Sequence, residues 1–112
     1  MAGNFKLDRG PILDRLGGDE DIFSMMVDMY LQDVDNTCSA LAGALDGGSL
    51  PALQREAHTI KGLLATFSDD EGAAEAHVLE QQAKQGDAAG VAEKVAFLQA
   101  RLREVAEVLR QA

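Results

Sequence analysis

The sequence predicts an all-α protein, an antiparallel up-down four-helix bundle with a short additional N-terminal helix. Apolar residues recur every three or four positions along long stretches, as on one face of a helix. No stretch alternates apolar and polar residues as a half-buried strand would. Connections of about two to five residues separate the stretches, short enough to make successive helices antiparallel neighbours. The 112 residues suit one domain, and with 46% hydrophobic but only 4% aromatic residues its core must be mainly aliphatic.

Met1 to Gly10 has no period and reads as a loosely held arm (residues 1–10), docked through Phe5 and Leu7, before a bundle domain over residues 11–112. Pro11 suits a first helical turn, and Ile12, Leu13 and Leu16 give that short helix an apolar side up to Gly17-Gly18. Asp19 is an N-cap, with Glu20 and Asp21 at the positive end of the second helix, about Glu20 to Leu45. Ile22, Met26, Met29, Thr37, Leu41, Ala44 and Leu45 are its expected inward side. Phe23, Val27, Tyr30, Val34 and Cys38 widen the arc, so the helix should touch more than one neighbour. Asp28, Gln32, Asp35 and Ser39 form the wet side.

After Gly47-Gly48, Ser49 caps a third helix to Phe67, with Pro51 in its first turn and a core stripe of Leu53, Ala57, Ile60, Leu64 and Phe67. Ser68-Asp69-Asp70-Glu71 reads as a capping box in which Ser68 and Glu71 bond reciprocally. The fourth helix then runs to about Gln85 on a thin stripe of Gly72, Ala76, Leu79 and Ala83, and is expected to be the weakest of the set. Gly86-Asp87 breaks it. The last helix, about Ala88 to Arg110, carries Val91, Val95, Leu98, Leu102, Val105 and Leu109.

Composition removes several classes of function. A net charge of −9 argues against nucleic acid or an anionic membrane as partner. No apolar run is long enough to span a membrane, and Met1 to Gly10 lacks a signal-peptide core. The single Cys38 has no disulfide partner and reads as a small buried hydrophobe in a reducing, cytoplasmic compartment. The glycine pairs lack the spacing of a nucleotide-binding loop. His58 and His77 lie on different helices without the companions of a zinc or di-iron site, so no metal is expected. A Cys38–His58 dyad is disfavoured because Cys38 lies on an apolar face.

The stretch Ala57-His58-Thr59-Ile60-Lys61-Gly62 carries the chemistry. His58 stands one residue off the core stripe, about 100° around the helix, at the border of core and solvent. Lys61 and Gly62 follow three and four residues later, on the same face. A neutral imidazole is a nucleophile near neutral pH, and a phosphoryl group on it would gain a charge that Lys61 can offset. Glycine inside a helix costs about 1 kcal/mol relative to alanine, so Gly62 needs a reason. Clearance for an approaching protein is one; close helix packing is the other. His77, flanked by Ala76, Val78 and Leu79, reads as structural or merely exposed. Gln54 and Ala65 neighbour His58 at helical spacing, while Ile12, Leu13, Phe23, Met25 and Met26 exceed what one core stripe needs. Gln54, Ala65, Ile12, Phe23 and Met25 are therefore the candidate docking residues.

These residues resemble the histidine phosphotransfer (HPt) family of two-component phosphorelays, whose pattern is A-H-x-L/I-K-G with a Leu-Glu about 22 residues after the histidine. Leu79-Glu80 falls at that spacing, Leu16-Gly17-Gly18-Asp19-Glu20 resembles the family's entry to its long second helix, and Gly86-Asp87 matches its usual break before the last. The resemblance covers about residues 11–110. It implies a four-helix bundle with an extra N-terminal helix, with His58 phosphorylated, Lys61 beside the phosphate and Gly62 opening the way. It implies a monomeric phosphoryl carrier, not a kinase, which passes the group between receiver-domain aspartates and needs no cofactor beyond the Mg²⁺ that receivers bring. The lack of a carboxylate base near His58 on its own helical face agrees with a carrier whose chemistry its partner supplies. The sequence departs from the family in Leu63-Leu64, where small residues are common, in Ser68, where glycine is common, and in Gly72 and Glu75, often leucine. These bear on the packing of the fourth helix and on the choice of receiver. Two rival readings are a phosphoacceptor domain excised from a hybrid or chemotaxis-type sensor kinase, and a helical adaptor that is not phosphorylated.

Overall fold

In a computed structural model describing residues 4–112, five helices follow in order: α1 (Arg9–Arg15), α2 (Glu20–Asp46), α3 (Leu50–Thr66), α4 (Asp70–Lys84) and α5 (Val91–Arg110). No strand occurs among the described residues. Helices α2 to α5 close a ring in which each packs on the next and α5 returns to α2. The most extensive contact is between α3 and α4. Small residues make it so: Ala57 on α3 and Gly72, Ala76 and Ala83 on α4 are all buried.

The termini follow their capping chemistry. Asp19 accepts from the N–H groups of Asp21 and Ile22, and Ser49 from that of Ala52. The expected Ser68–Glu71 capping box does not form. Asp69 is the N-cap of α4, accepting from the Gly72 N–H, while Ser68 turns the chain out of α3 at φ 60°. That left-handed conformation is costly for a residue with a Cβ, which accounts for the family's usual glycine there. Glu71 instead faces Asn4.

Helix α1 starts at Arg9, within the stretch expected to be arm, because Asp8 caps it through the Gly10 N–H. It covers one end of the bundle, burying Ile12, and Arg15 donates to the Thr66 carbonyl and Ser68 Oγ at the end of α3. Residues 1–3 of the expected arm lie outside the described residues. Phe5 docks as expected: its ring is buried, and its N–H donates to Glu104 Oε2 at 2.7 Å.

The inward side of α2 is turned from the expected one. Phe23, Tyr30, Val34, Cys38, Leu41 and Ala44 are buried, whereas Ile22 and Met29 are exposed. The aromatic anchors decide the rotation. The Tyr30 hydroxyl donates to the Leu102 carbonyl at 2.7 Å, and its ring meets Phe67 edge-on at 5.4 Å. Cys38 is buried, which pushes its thiol pKa up and keeps it unreactive.

Helix α4 is better anchored than its thin stripe suggests. Arg101, in the middle of α5, is almost fully buried and grips Asp69 with two bonds of 2.8 Å. Gly72 is required by this pair. A Cβ there would stand 2.1 Å from Asp69 Oδ2 and 2.9 Å from Leu64 Cδ1, closer than any side chain could tolerate.

Candidate functional site

Because α3 and α4 run antiparallel, His58 lies opposite Glu80 and Lys61 opposite His77, three residues forward on one helix matching three back on the other. Glu80 joins the cluster. One carboxylate oxygen lies 2.9 Å from His58 Nδ1, and the other accepts from Lys61 Nζ at 2.7 Å. His77 Nδ1 stands 3.5 Å from Lys61 Nζ and 3.8 Å from Glu80 Oε1.

Exposure is graded across the site. The Glu80 side chain is 12% exposed, Lys61 31% and His58 68%. The carboxylate is thus the enclosed floor and the imidazole the open edge. The Lys61 hydrogen bond, aided by that from His58, holds the Glu80 carboxyl below the usual carboxylate range despite partial burial. An ionised carboxylate can only accept, so the proton of the His58–Glu80 bond belongs to Nδ1. Nε2 is left with its lone pair on the exposed ring.

The residues chosen from the sequence divide. Gly62 is exposed, and nothing lies within 4 Å of where its Cβ would be, so internal packing does not explain this glycine. Ala65 is exposed and Gln54 half-buried beside His58. Met25 is 62% exposed. Ile12 and Phe23, expected as docking residues, are instead buried in the core at 1% and 5% exposure, and cannot meet a partner. Their apolar area covers the end of the bundle where α1 crosses, a demand that counting one stripe per helix overlooks. Ile22 and Met29 are exposed instead, forming with Met25 an apolar row on α2. An apolar groove of about 280 Å³ continues that row toward α3, lined by Met26, Met29, Tyr30, Thr59, Leu63 and Thr66. Thr59, the residue after His58, lines this groove, while the His58 ring itself is turned to Glu80 of α4.

Glu80 and His77 are the site members that helix-by-helix reading passes over. Glu80 is legible as the second half of Leu79-Glu80 and as a helical neighbour of His77; its contact with His58 depends on the register of α4 against α3. The absence of a carboxylate on His58's own face is real, but α4 supplies one. Among the described residues, no group of histidine, cysteine and carboxylate side chains is arranged to hold a metal. No helix among them is long and apolar enough to cross a membrane.

Comparison with known proteins agrees with this architecture. A crystal structure of histidine-containing phosphotransfer protein B from Pseudomonas aeruginosa PAO1 superposes with a TM-score of 0.84 at 23% identity, covering 97% of this chain and 95% of that one. No curated protein matches the sequence. The family model of the Hpt domain matches residues 25–112, which span the whole of α3, α4 and α5 and most of α2, and the chain therefore belongs to the Hpt domain family.

Proposed function

We propose that the protein is a phosphoryl carrier of a two-component phosphorelay, in which His58 takes a phosphoryl group from one receiver-domain aspartate and yields it to another. The observation that carries this reading is the Nδ1–H of exposed His58 pinned on Glu80, with Lys61 on the same carboxylate. The Nε2 lone pair attacks phosphorus, a P–N bond forms, and the P–O bond to the donor aspartate breaks, releasing its carboxylate. No proton has to leave Nε2, because Nδ1 already holds the ring's proton. The imidazolium character that develops faces the ionised Glu80, as a buried carboxylate serves a catalytic histidine elsewhere. Lys61 has donors to spare for the phosphoryl oxygens.

Gly62 leaves the approach to Nε2 open. The receiver supplies the second aspartate and Mg²⁺; this chain needs no cofactor and acts as a carrier without kinase activity. The α2–α3 groove and the row of Ile22, Met25 and Met29 form the apolar centre of the receiver contact, with Gln54 and Ala65 near its polar edge. Buried apolar anchors there set the lifetime of the complex and rim charges its rate of formation. A monomer in the cytoplasm, meeting receivers of response regulators or hybrid kinases, fits these features.

His58→Gln tests the reading. Incubated with a phosphorylated receiver, the variant should take up no acid-labile phosphate, while its helicity and melting temperature stay close to wild type because the His58 side chain is mostly exposed. Retained label, or label moved to His77, would refute the assignment. An adaptor, by contrast, would bind receivers with no label on wild type.

A further inference from the structure

The α2–α3 groove has a chemistry that the transfer step does not use. Its volume is about 280 Å³, and methionine, leucine, valine and aromatic side chains make up most of its lining. Its hydroxyls are already committed. Thr37 Oγ1 donates to the Asp33 carbonyl at 3.0 Å, Thr59 Oγ1 to that of Arg55 at 3.2 Å, and Thr66 Oγ1 to that of Gly62 at 2.9 Å. The Tyr30 hydroxyl is taken by the Leu102 carbonyl. Threonines bonded back onto their own helix leave no donor for a guest. The one charged residue in the lining is Asp33, which is exposed and forms no ion pair among the described residues. An apolar slot with no free donor and one unpaired carboxylate suits a guest with an apolar body and a cationic end.

The groove is also placed for a partner of His58. His58, Gly62 and Thr66 stand four residues apart, each about 40° further round α3 than the last. The outer face of α3 therefore leads from the groove at Thr66, across the open space at Gly62, to the imidazole on the α4 side. On α2, Met29 belongs both to the groove and to the exposed apolar row, so one contact can cover both. Resting on the carrier reading above, we propose that Asp33 selects the receiver: the cognate receiver seats an apolar side chain in the α2–α3 groove and pairs a neighbouring lysine or arginine with Asp33. The apolar anchor holds the complex. The carboxylate rejects receivers with a neutral or acidic residue at that place, which leave Asp33 covered without a partner or facing a like charge. A second copy of this chain is the poorer occupant, since a net charge of −9 sets two such molecules against each other.

The test offers a panel of purified receivers, phosphorylated with acetyl phosphate and Mg²⁺, to wild type, Asp33→Lys and Asp35→Lys. Asp35 is exposed but outside the groove, and its variant changes the net charge by the same amount. Transfer rate against receiver concentration separates KM from the maximal rate. For the receivers that label wild type best, Asp33→Lys should raise KM about tenfold or more, as an ion pair becomes a like-charge contact. Its maximal rate and melting temperature should stay close to wild type. Asp35→Lys should change KM by less than about twofold, as for a screened surface charge. Replacing the lysines and arginines of such a receiver's docking face by glutamate, one at a time, should find one position that restores most of the binding to Asp33→Lys. Equal KM values for wild type and Asp33→Lys, equal effects of the two variants, or no restoring position overturn the role of Asp33 while leaving the carrier reading intact. A concentration-dependent dimer that Asp33→Lys dissolves gives the groove to a second copy and also overturns it. A wild type that takes no label from any receiver overturns both.

Discussion

Helix α4 and its cap present a carboxylate to each flanking helix, and the two contacts have opposite characters. Asp69 meets Arg101 of α5 with both side chains 3% exposed or less, in a two-bond grip. Glu80 meets Lys61 and His58 of α3, where exposure rises from 12% at the carboxylate to 68% at the imidazole. Arginine suits the first site because its planar fork matches a carboxylate and keeps its charge when buried. Lysine and histidine suit the second because they carry fewer fixed bonds and can turn to a third group. A sealed ion pair binds helices together, while an open one keeps donors free for a substrate. Stability should therefore reside in the first pair and chemistry in the second.

Breaking the sealed pair should have the largest effect on stability. Arg101→Ala leaves Asp69 buried without its cation and should cost about 3–5 kcal/mol in denaturant unfolding. The double variant Arg101→Met with Asp69→Ala should cost less than Arg101→Ala alone, since no unpaired charge remains. A double variant less stable than the single one would show that the attraction itself, not the orphaned charge, dominates. Gly72→Ala comes next. Its methyl group collides with Asp69 and Leu64, so a loss of about 1–3 kcal/mol is expected, with label uptake by the folded protein unchanged. A stabilised Gly72→Ala protein would mean that the Asp69 grip can shift at little cost.

Glu80→Gln should cost about 1 kcal/mol or less at neutral pH, because the Lys61 and His58 ends of the contact are open to water. It should slow transfer by up to about tenfold, as charge-assisted bonds become neutral ones. Its pH dependence has a definite sign. The folded-state pKa of Glu80 is depressed, first by Lys61, so its contribution is complete above the unfolded-chain value of about 4.3 and is lost as pH falls through the lower folded value. The stability difference between wild type and Glu80→Gln should be constant above pH 5 and shrink in acid; a difference growing in acid contradicts the assignment. Gly62→Gln should have the smallest effect on the fold, a gain of about 0.5 kcal/mol from helix propensity, and yet block transfer by filling the approach to His58. A marked destabilisation would contradict the open space around Gly62.

The sequence by itself determined the helices, because their periodicity and caps are local. Asp19 and Ser49 cap where their positions predict, and the stripes of α3, α4 and α5 are buried residue for residue. His58, Lys61 and Gly62 were legible as neighbours for the same reason: three and four residues along a helix is one face, whatever surrounds it. Only tertiary structure decided what crosses between helices. The side α2 turns inward depends on Tyr30 meeting Phe67 and Leu102. The burial of Ile12 and Phe23 depends on where α1 lies. The cap Asp69, favoured over the expected box from Ser68, depends on Arg101, 32 residues away. Glu80 reaches His58 because small residues let α4 settle against α3 in one register. Sequence spacing fixes direction around a helix axis, but the depth and register of packing come from side-chain volumes on two helices at once.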